Sequence, residues 1–317
     1  MKIVLLSFFL SLTLWADAHI FVYHRFGDSR YPSTNTTISE LKKEFDYFKT
    51  NGYKIVPLDR LVKALKDGKT IPDKWVVLTI DDNFRSFYDN AFKLFKKYHY
   101  PFSLFVYIEA TQKRYPDYLN WKQLKEIAKY GSLEFHSYAH PHMTHVSNED
   151  LKKDFQHGLE IFEKKLNIKP KYFTYPYGEY NKRVKKIAKS FGFDAIINQN
   201  MGAVGTKSDL FDLDRCALVG KTNLKYLLKL KHLNATWIEP ISFPKNSILS
   251  TLHVKVDENG KRGGLYISGN GWREIDFKNK EINLKLNKKL TNGRNRVIIS
   301  IGDKISTKLL IKDTKWN

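Results

Sequence analysis

The sequence predicts an α/β protein: a distorted parallel (β/α) barrel of about seven strands, followed by a small antiparallel β domain. Three observations predict it. Between His19 and about Trp237, short apolar runs alternate six or seven times with segments of helical periodicity. After Trp237 the pattern becomes short strand-like runs punctuated by Asn-Gly pairs. Between them, Trp75–Ile80 (WVVLTI) is an apolar run that stops abruptly at Asp81-Asp82-Asn83. That is the signature of a strand buried on both faces, with its polar end at the carboxyl edge of a sheet. An open parallel sheet is the other architecture that this alternation allows.

Composition narrows the class. A hydrophobic fraction of 42% over 317 residues supports folded domains and argues against disorder. The net charge of +21 is spread along the chain in pairs such as Lys42-Lys43, Lys96-Lys97 and Lys185-Lys186. This suits attraction to an anionic cell-envelope surface; with no binding motif beside it, it does not make a nucleic-acid groove. The one cysteine, Cys216, excludes an intramolecular disulfide and a thiolate-rich metal site, and reads as a small buried hydrophobe. Residues 1–18 have the parts of a cleaved secretory signal, Lys2, an apolar core over Ile3–Leu14 and Ala16-Asp17-Ala18, with an uncleaved membrane anchor as the other reading. A secreted or periplasmic protein is expected, with a barrel domain over 19–236 and a β-sandwich-like accessory domain over 237–317.

Taken in order, His19–His24 is the first strand. Ile38, Leu41, Phe45 and Phe48 give a helix closed by Gly52, and Lys54–Val56 is a short strand. Leu58, Leu61, Val62 and Leu65 mark a helix ended by Gly68. Beyond Trp75–Ile80, Phe92 and Phe95 lie on a helix, Phe102–Ile108 is a strand and Trp121–Lys129 a helix. Leu133–Phe135 runs as a strand into a histidine cluster, and Ser147 with Asp150 caps a long helix through Lys165. Tyr172–Tyr175 and Ala195–Asn198 are strands flanking a helix over Asn181–Phe191. In the last domain Asn259-Gly260, Asn270-Gly271 and Asn292-Gly293 read as hairpin turns.

Three strand ends gather unusual side chains: Asp81-Asp82, His136-Ser-Tyr-Ala-His140 and Tyr175-Pro-Tyr-Gly178. Adjacent carboxylates need a cation or donors to stay ionised together, although a solvated turn capping the next helix would also place two acids there. His136 and His140 are four apart, which on one helical turn aims both imidazoles the same way. With a carboxylate from another strand they make an N/O ligand set that suits Zn²⁺ or another borderline divalent metal. His142 and His145 crowd the same loop, as a further ligand or as surface residues.

The segments TIDDN, HSYAH and FTYPYG resemble, in order and spacing from His19 to His232, the motifs of the polysaccharide deacetylase family (carbohydrate esterase family 4). The resemblance is greatest to secreted deacetylases of poly-N-acetylglucosamine, which also begin with a segment like Tyr23-His24-Arg25. It implies a metal-dependent hydrolase that removes N-acetyl groups from an N-acetylated polysaccharide. Asp82, His136 and His140 would be metal ligands, Asp81 the general base, and the Tyr177 backbone N–H a donor to the oxyanion. The chain departs from the pattern at Thr174, where an arginine that orients the base is usual; Arg215 is the substitute this sequence offers. Asn83 replaces a usual glycine, and the motif that carries the general acid is unclear, His232 being the nearest candidate. These departures leave two further readings, a catalytically weakened glycan-binding protein and an O-acetyl esterase. In the β domain, Tyr266 and Trp272 are read either as core or as a platform for stacking sugar.

Overall fold

Trp75–Ile80 is buried along its whole length and lies inside the main sheet of the computed structural model, which describes residues 17–220 and 222–313. The expected leader lies, through residue 16, outside the described residues. The strand order is Cys216–Ala217, His19–Tyr23, Trp75–Ile80, Ser103–Val106, Ser132–Phe135, Tyr172–Thr174, Ala195–Ile197, with Lys54–Ile55 pairing the start of Trp75–Ile80. All these ladders are parallel. The result is a half-barrel of seven parallel strands, with Lys54–Ile55 as a short eighth beside them.

Alternation along the strands sorts the core into two layers. Phe21, Leu78, Leu104 and Phe173 join Phe45, Phe95, Ile127 and Phe155 of the helices in one cluster. Ile20, Val77, Phe105 and Ile197 point the other way, into a second cluster shared with Leu58, Leu61, Val62 and Leu65. Thr79 and Asp81 follow Val77 at a spacing of two, so this inner face turns polar at its carboxyl end.

The helices start where their capping residues dictate. Thr37 and Asn120 each make a reciprocal capping box, with Glu40 and Gln123. Ser147 accepts from the Asp150 N–H at the head of Asn148–Leu166.

The remaining strands form two sheets. One has the order Lys231–His232, Lys304–Ile311, Arg294–Ile301, Arg262–Ile267, Gly271–Asp276; the other is Ala235–Glu239, Ile248–Val256, Glu281–Lys289. Leu252, Val254 and Ile282 of the second meet Leu265, Val297 and Ile299 of the first in a single apolar core. Of the three Asn-Gly pairs, only Asn270-Gly271 closes a hairpin. Asn259-Gly260 and Asn292-Gly293 connect strands of different sheets, because the neighbouring strands pair elsewhere. The five-stranded sheet also covers the open side of the half-barrel: Ile298 and Ile305 belong to the barrel's own core, and Thr307 Oγ1 donates to Met201 O at 2.7 Å.

Candidate metal centre and acyl-transfer site

Asp82 follows the central strand but turns off its axis, because Asp82 (φ 68°) and Asn83 (φ 45°) are both left-handed. Asn83 holds this turn from within the protein. Its Oδ1 accepts from Tyr107 N–H at 2.7 Å and its Nδ2 donates to Thr111 Oγ1 at 2.9 Å. Asn therefore occupies the position the resemblance gives to glycine, supplying both the backbone conformation and two anchoring bonds.

His136 and His140 are not on a helical turn, as their spacing suggested. They lie on a loop in which Ser137 (φ 69°) and His140 (φ 51°) are left-handed. Asp154 holds the loop by accepting from the N–H groups of Tyr138 and Ala139, and Ser137 Oγ accepts from His140 N–H. The loop bends the two rings to a centroid separation of 4.9 Å.

Asp82 Oδ1 then lies 3.2 Å from His136 Nε2 and 3.0 Å from His140 Nε2. Yet Asp82 Oδ1 is buried and satisfies hydrogen-bond geometry with neither. The three ligand atoms all lie within 4.8 Å of one another, close enough to share one cation. His136 Nδ1 is 2.8 Å from Thr174 O, so Nδ1–H donates to that carbonyl and Nε2 presents its lone pair to this cluster. The donor set is two imidazoles and a carboxylate without sulfur. It fits a borderline divalent cation held on one face, with positions left for other ligands.

Asp81 is held apart from this cluster. Arg215 reaches through the inner layer and grips it with two bonds, Nη1 to Oδ1 at 2.8 Å and Nη2 to Oδ2 at 2.6 Å. Thr79 Oγ1 and Asn198 O fix the same guanidinium at 3.0 and 3.1 Å. Burial pushes the Asp81 carboxyl up, but the charges of Arg215 and His136 outweigh it and hold the group below the usual aspartate value. Arg215 thus sits where the guanidinium missing at Thr174 would be needed, while Thr174 serves His136.

Tyr177 stands at the rim in a left-handed turn (φ 58°) and is 43% exposed. Its ring lies 4.5 Å from that of His140 and stacks on His142 at 4.1 Å. His142 bonds Glu179 at 2.7 Å and His145 stacks on His142, so these two histidines brace Tyr177 and do not join the ligand cluster. From the β domain, Arg294 Nη1 donates to the Tyr177 carbonyl. Tyr107 packs on the other side of His140 at 5.2 Å, and Tyr118 packs on Tyr107.

Two assignments change. His232 lies with Asp17, Gly205 and Ser208 where the β domain begins, and touches none of the cluster. His24, quoted above without a role, is instead at the site: the charges acting on its imidazole are those of Asp82, Asp81, Arg215 and His136, and its Nδ1 is buried without a partner among the described residues. The signal was in the strand. Val22 pairs with Thr79, so two residues further on His24 arrives beside Asp81 on the inner face.

Residues 68–196, which carry the Asp-His-His cluster and the separate buried aspartate at the carboxyl edge of the sheet, match the polysaccharide deacetylase family model. The chain is similar to the poly-β-1,6-N-acetyl-D-glucosamine N-deacetylase of Staphylococcus epidermidis, 28% identical over 184 residues (53% of this chain, 63% of that one). It is similar also to the Escherichia coli K12 enzyme of the same name, 25% identical over 241 residues (63% and 35%). The chain thus spans about a third of the E. coli relative and just under two thirds of the staphylococcal one. In fold it resembles the Streptococcus pyogenes deacetylase PplD solved with acetate, with a TM-score of 0.62 at 22% identity, covering 68% of this chain and 97% of that one.

Proposed function

We propose that this protein is a metal-dependent hydrolase that removes N-acetyl groups from an N-acetylglucosamine-containing polysaccharide of the cell envelope or extracellular matrix. The observation that carries the reading is the division of labour between adjacent acids. Asp82 faces the two imidazoles, while Asp81 is withdrawn from them and oriented by Arg215. A protein that only bound glycan would have no use for an oriented, unliganded carboxylate. The names of the relatives and the tyrosine-lined rim support a sugar polymer as substrate.

Asp82, His136 and His140 would hold the cation, a donor set of one carboxylate and two imidazoles that suits Zn²⁺, and the cation when bound would supply Lewis acidity to water and to the acetyl carbonyl. Asp81 takes the proton of the attacking water; Arg215 keeps its oxygens aimed and its charge negative. The Tyr177 N–H donates to the oxygen that becomes anionic, a contribution of about 10²–10³ in rate for such a donor. His24, facing both aspartates, delivers a proton to the departing amine. Export through a leader ending near Ala18 would put this chemistry on the envelope. Ala18 pairs with Val204 and Asp17 accepts from His232 N–H, so N-terminal sequencing of exported protein also tests where the chain is cut.

The test is acetate release from N-acetylated and O-acetylated glycans, with and without chelator, for the parent, Asp81→Asn and His24→Ala proteins. Release from N-acetylated polymer that is lost with chelator and in Asp81→Asn is expected. Metal-loaded protein that frees acetate from no substrate overturns the reading and leaves glycan binding.

A further inference from the structure

Where the five-stranded sheet closes the open side of the half-barrel, a cavity of about 340 Å³ is lined by Gln199, Thr222, Leu227, Tyr266, Trp272 and Arg296. Three features distinguish it from an ordinary seam between domains.

The first is an aromatic pair. Trp272 is 50% exposed on the edge strand and its ring lies 5.5 Å from that of Tyr266, its cross-strand partner. Gly264 on the neighbouring strand makes room: a Cβ there would stand 3.0 Å from the indole. The indole therefore lies against the sheet with much of its surface still open to a ligand.

The second is an unpaired cation. Arg296 is half-buried, and among the described residues it forms no ion pair and its guanidinium no hydrogen bond; Tyr266 and Cys216 face it, and Arg294 is a second cation close by. A guanidinium only donates, so this one, half-buried at the cavity wall, has its donors free for an acceptor that enters.

The third is continuity with the candidate site. A Cβ on Gly178, the residue after Tyr177, would lie 2.6 Å from Gln199 Cβ and 2.9 Å from its Oε1. Gln199 is thus packed against the Tyr177 turn on one side and lines the cavity on the other. Arg215, which orients Asp81, also borders the cavity.

We propose that this cavity is a sugar subsite contributed by the β domain, holding a still-acetylated hexosamine of the same polymer while another unit is hydrolysed. An aromatic face suits the apolar face of a pyranose, and an acetamide carbonyl is the acceptor that Arg296 lacks. A unit already deacetylated carries an ammonium group, which Arg296 repels. The subsite rests on the deacetylase reading for its substrate, and by its charge it prefers polymer not yet processed.

The experiment uses the full, metal-loaded chain with Trp272→Ala and Arg296→Gln. The preference for a long N-acetylglucosamine oligomer over the monosaccharide, as a ratio of kcat/KM, is expected to fall about tenfold in each, the effect of truncating one anchoring side chain. In the Asp81→Asn background, tryptophan fluorescence should respond to the acetylated oligomer, to its fully deacetylated form at least tenfold more weakly, and to neither in Trp272→Ala. Trp272 is half exposed, so its loss tests binding even if Arg296→Gln is poorly folded. An unchanged oligomer preference in Trp272→Ala, or equal binding of both oligomers, overturns the subsite. Acetate release that depends on Asp81 but not on Trp272 sinks the subsite alone. Trp272-dependent binding without acetate release from any glycan sinks the hydrolase reading alone.

Discussion

Arg215 holds Asp81 through two parallel N–H···O bonds, 2.8 and 2.6 Å long, with both side chains buried. Such a fork fixes both the position and the rotation of the carboxylate. Lysine is a point charge with no fork, so Arg215→Lys should cost about 10²-fold in kcat with a smaller change in KM. Steady-state kinetics on an N-acetylated oligomer, with a circular dichroism melt as folding control, measures it. Wild-type kcat in a folded Arg215→Lys protein would show that Asp81 needs no such orientation.

His140→Ala should abolish stoichiometric binding of a divalent metal, measured by elemental analysis after dialysis. Loss of the fold is not expected, because the loop is held by Asp154 and Ser137. Thr174→Val keeps the carbonyl that accepts from His136 but removes the hydroxyl 2.6 Å from its Nδ1. Metal affinity should drop by about 10–100-fold, the usual size of an effect transmitted through a ligand's partner.

Arg294 links the β domain to the Tyr177 carbonyl and so sets the plane of a peptide beside the reacting centre. In Arg294→Ala, kcat should fall about tenfold with KM for the monosaccharide little altered, and Arg294→Lys should recover part of the loss. A change confined to melting temperature would mean that Arg294 only joins the domains.

Glu44 gives a prediction independent of the site. It is buried beneath the first strand and accepts from Tyr23 OH at 2.7 Å, and burial pushes its carboxyl up to about 7 from 4.5. Between those values the folded chain keeps a proton that the unfolded chain has lost. The stabilising contribution is complete below pH 4.5 and is lost as the pH rises through 7. Glu44→Gln, which keeps an acceptor without the charge, should be more stable than the parent at pH 8 by roughly 1–3 kcal/mol and no more stable at pH 4. Thermal melts at both values check the sign.

The barrel strands were legible because each ends where apolar residues give way to polar ones, and Asp81, Asp82, His136, His140 and Tyr177 all lie just beyond such a break. What hid the rest was mostly tertiary. The spacing of His136 and His140 is the same on a helix and on this loop, and only the left-handed turns at Ser137 and His140 separate them. Cys216–Ala217 is too short for a periodic signal and is a strand because His19–Tyr23 offers it an edge. Gly271–Asp276 (GWREID) is an edge strand with little apolar alternation to mark it in the sequence; of its residues Ile275 alone is buried. His24 was visible in principle, since alternation along His19–Tyr23 carries it to the face where Asp81 ends.

The way the last sheet meets the barrel has a practical consequence. Ile298 and Ile305 share a core with Phe21 and Phe173, and His19 reaches Leu230 O at 3.0 Å. These strands serve as staves that complete an otherwise unfinished cask. A gene fragment ending near residue 236 would therefore yield a barrel with a greasy seam along its flank, prone to clumping. Anyone trimming this chain for crystals or for engineering should keep both halves together.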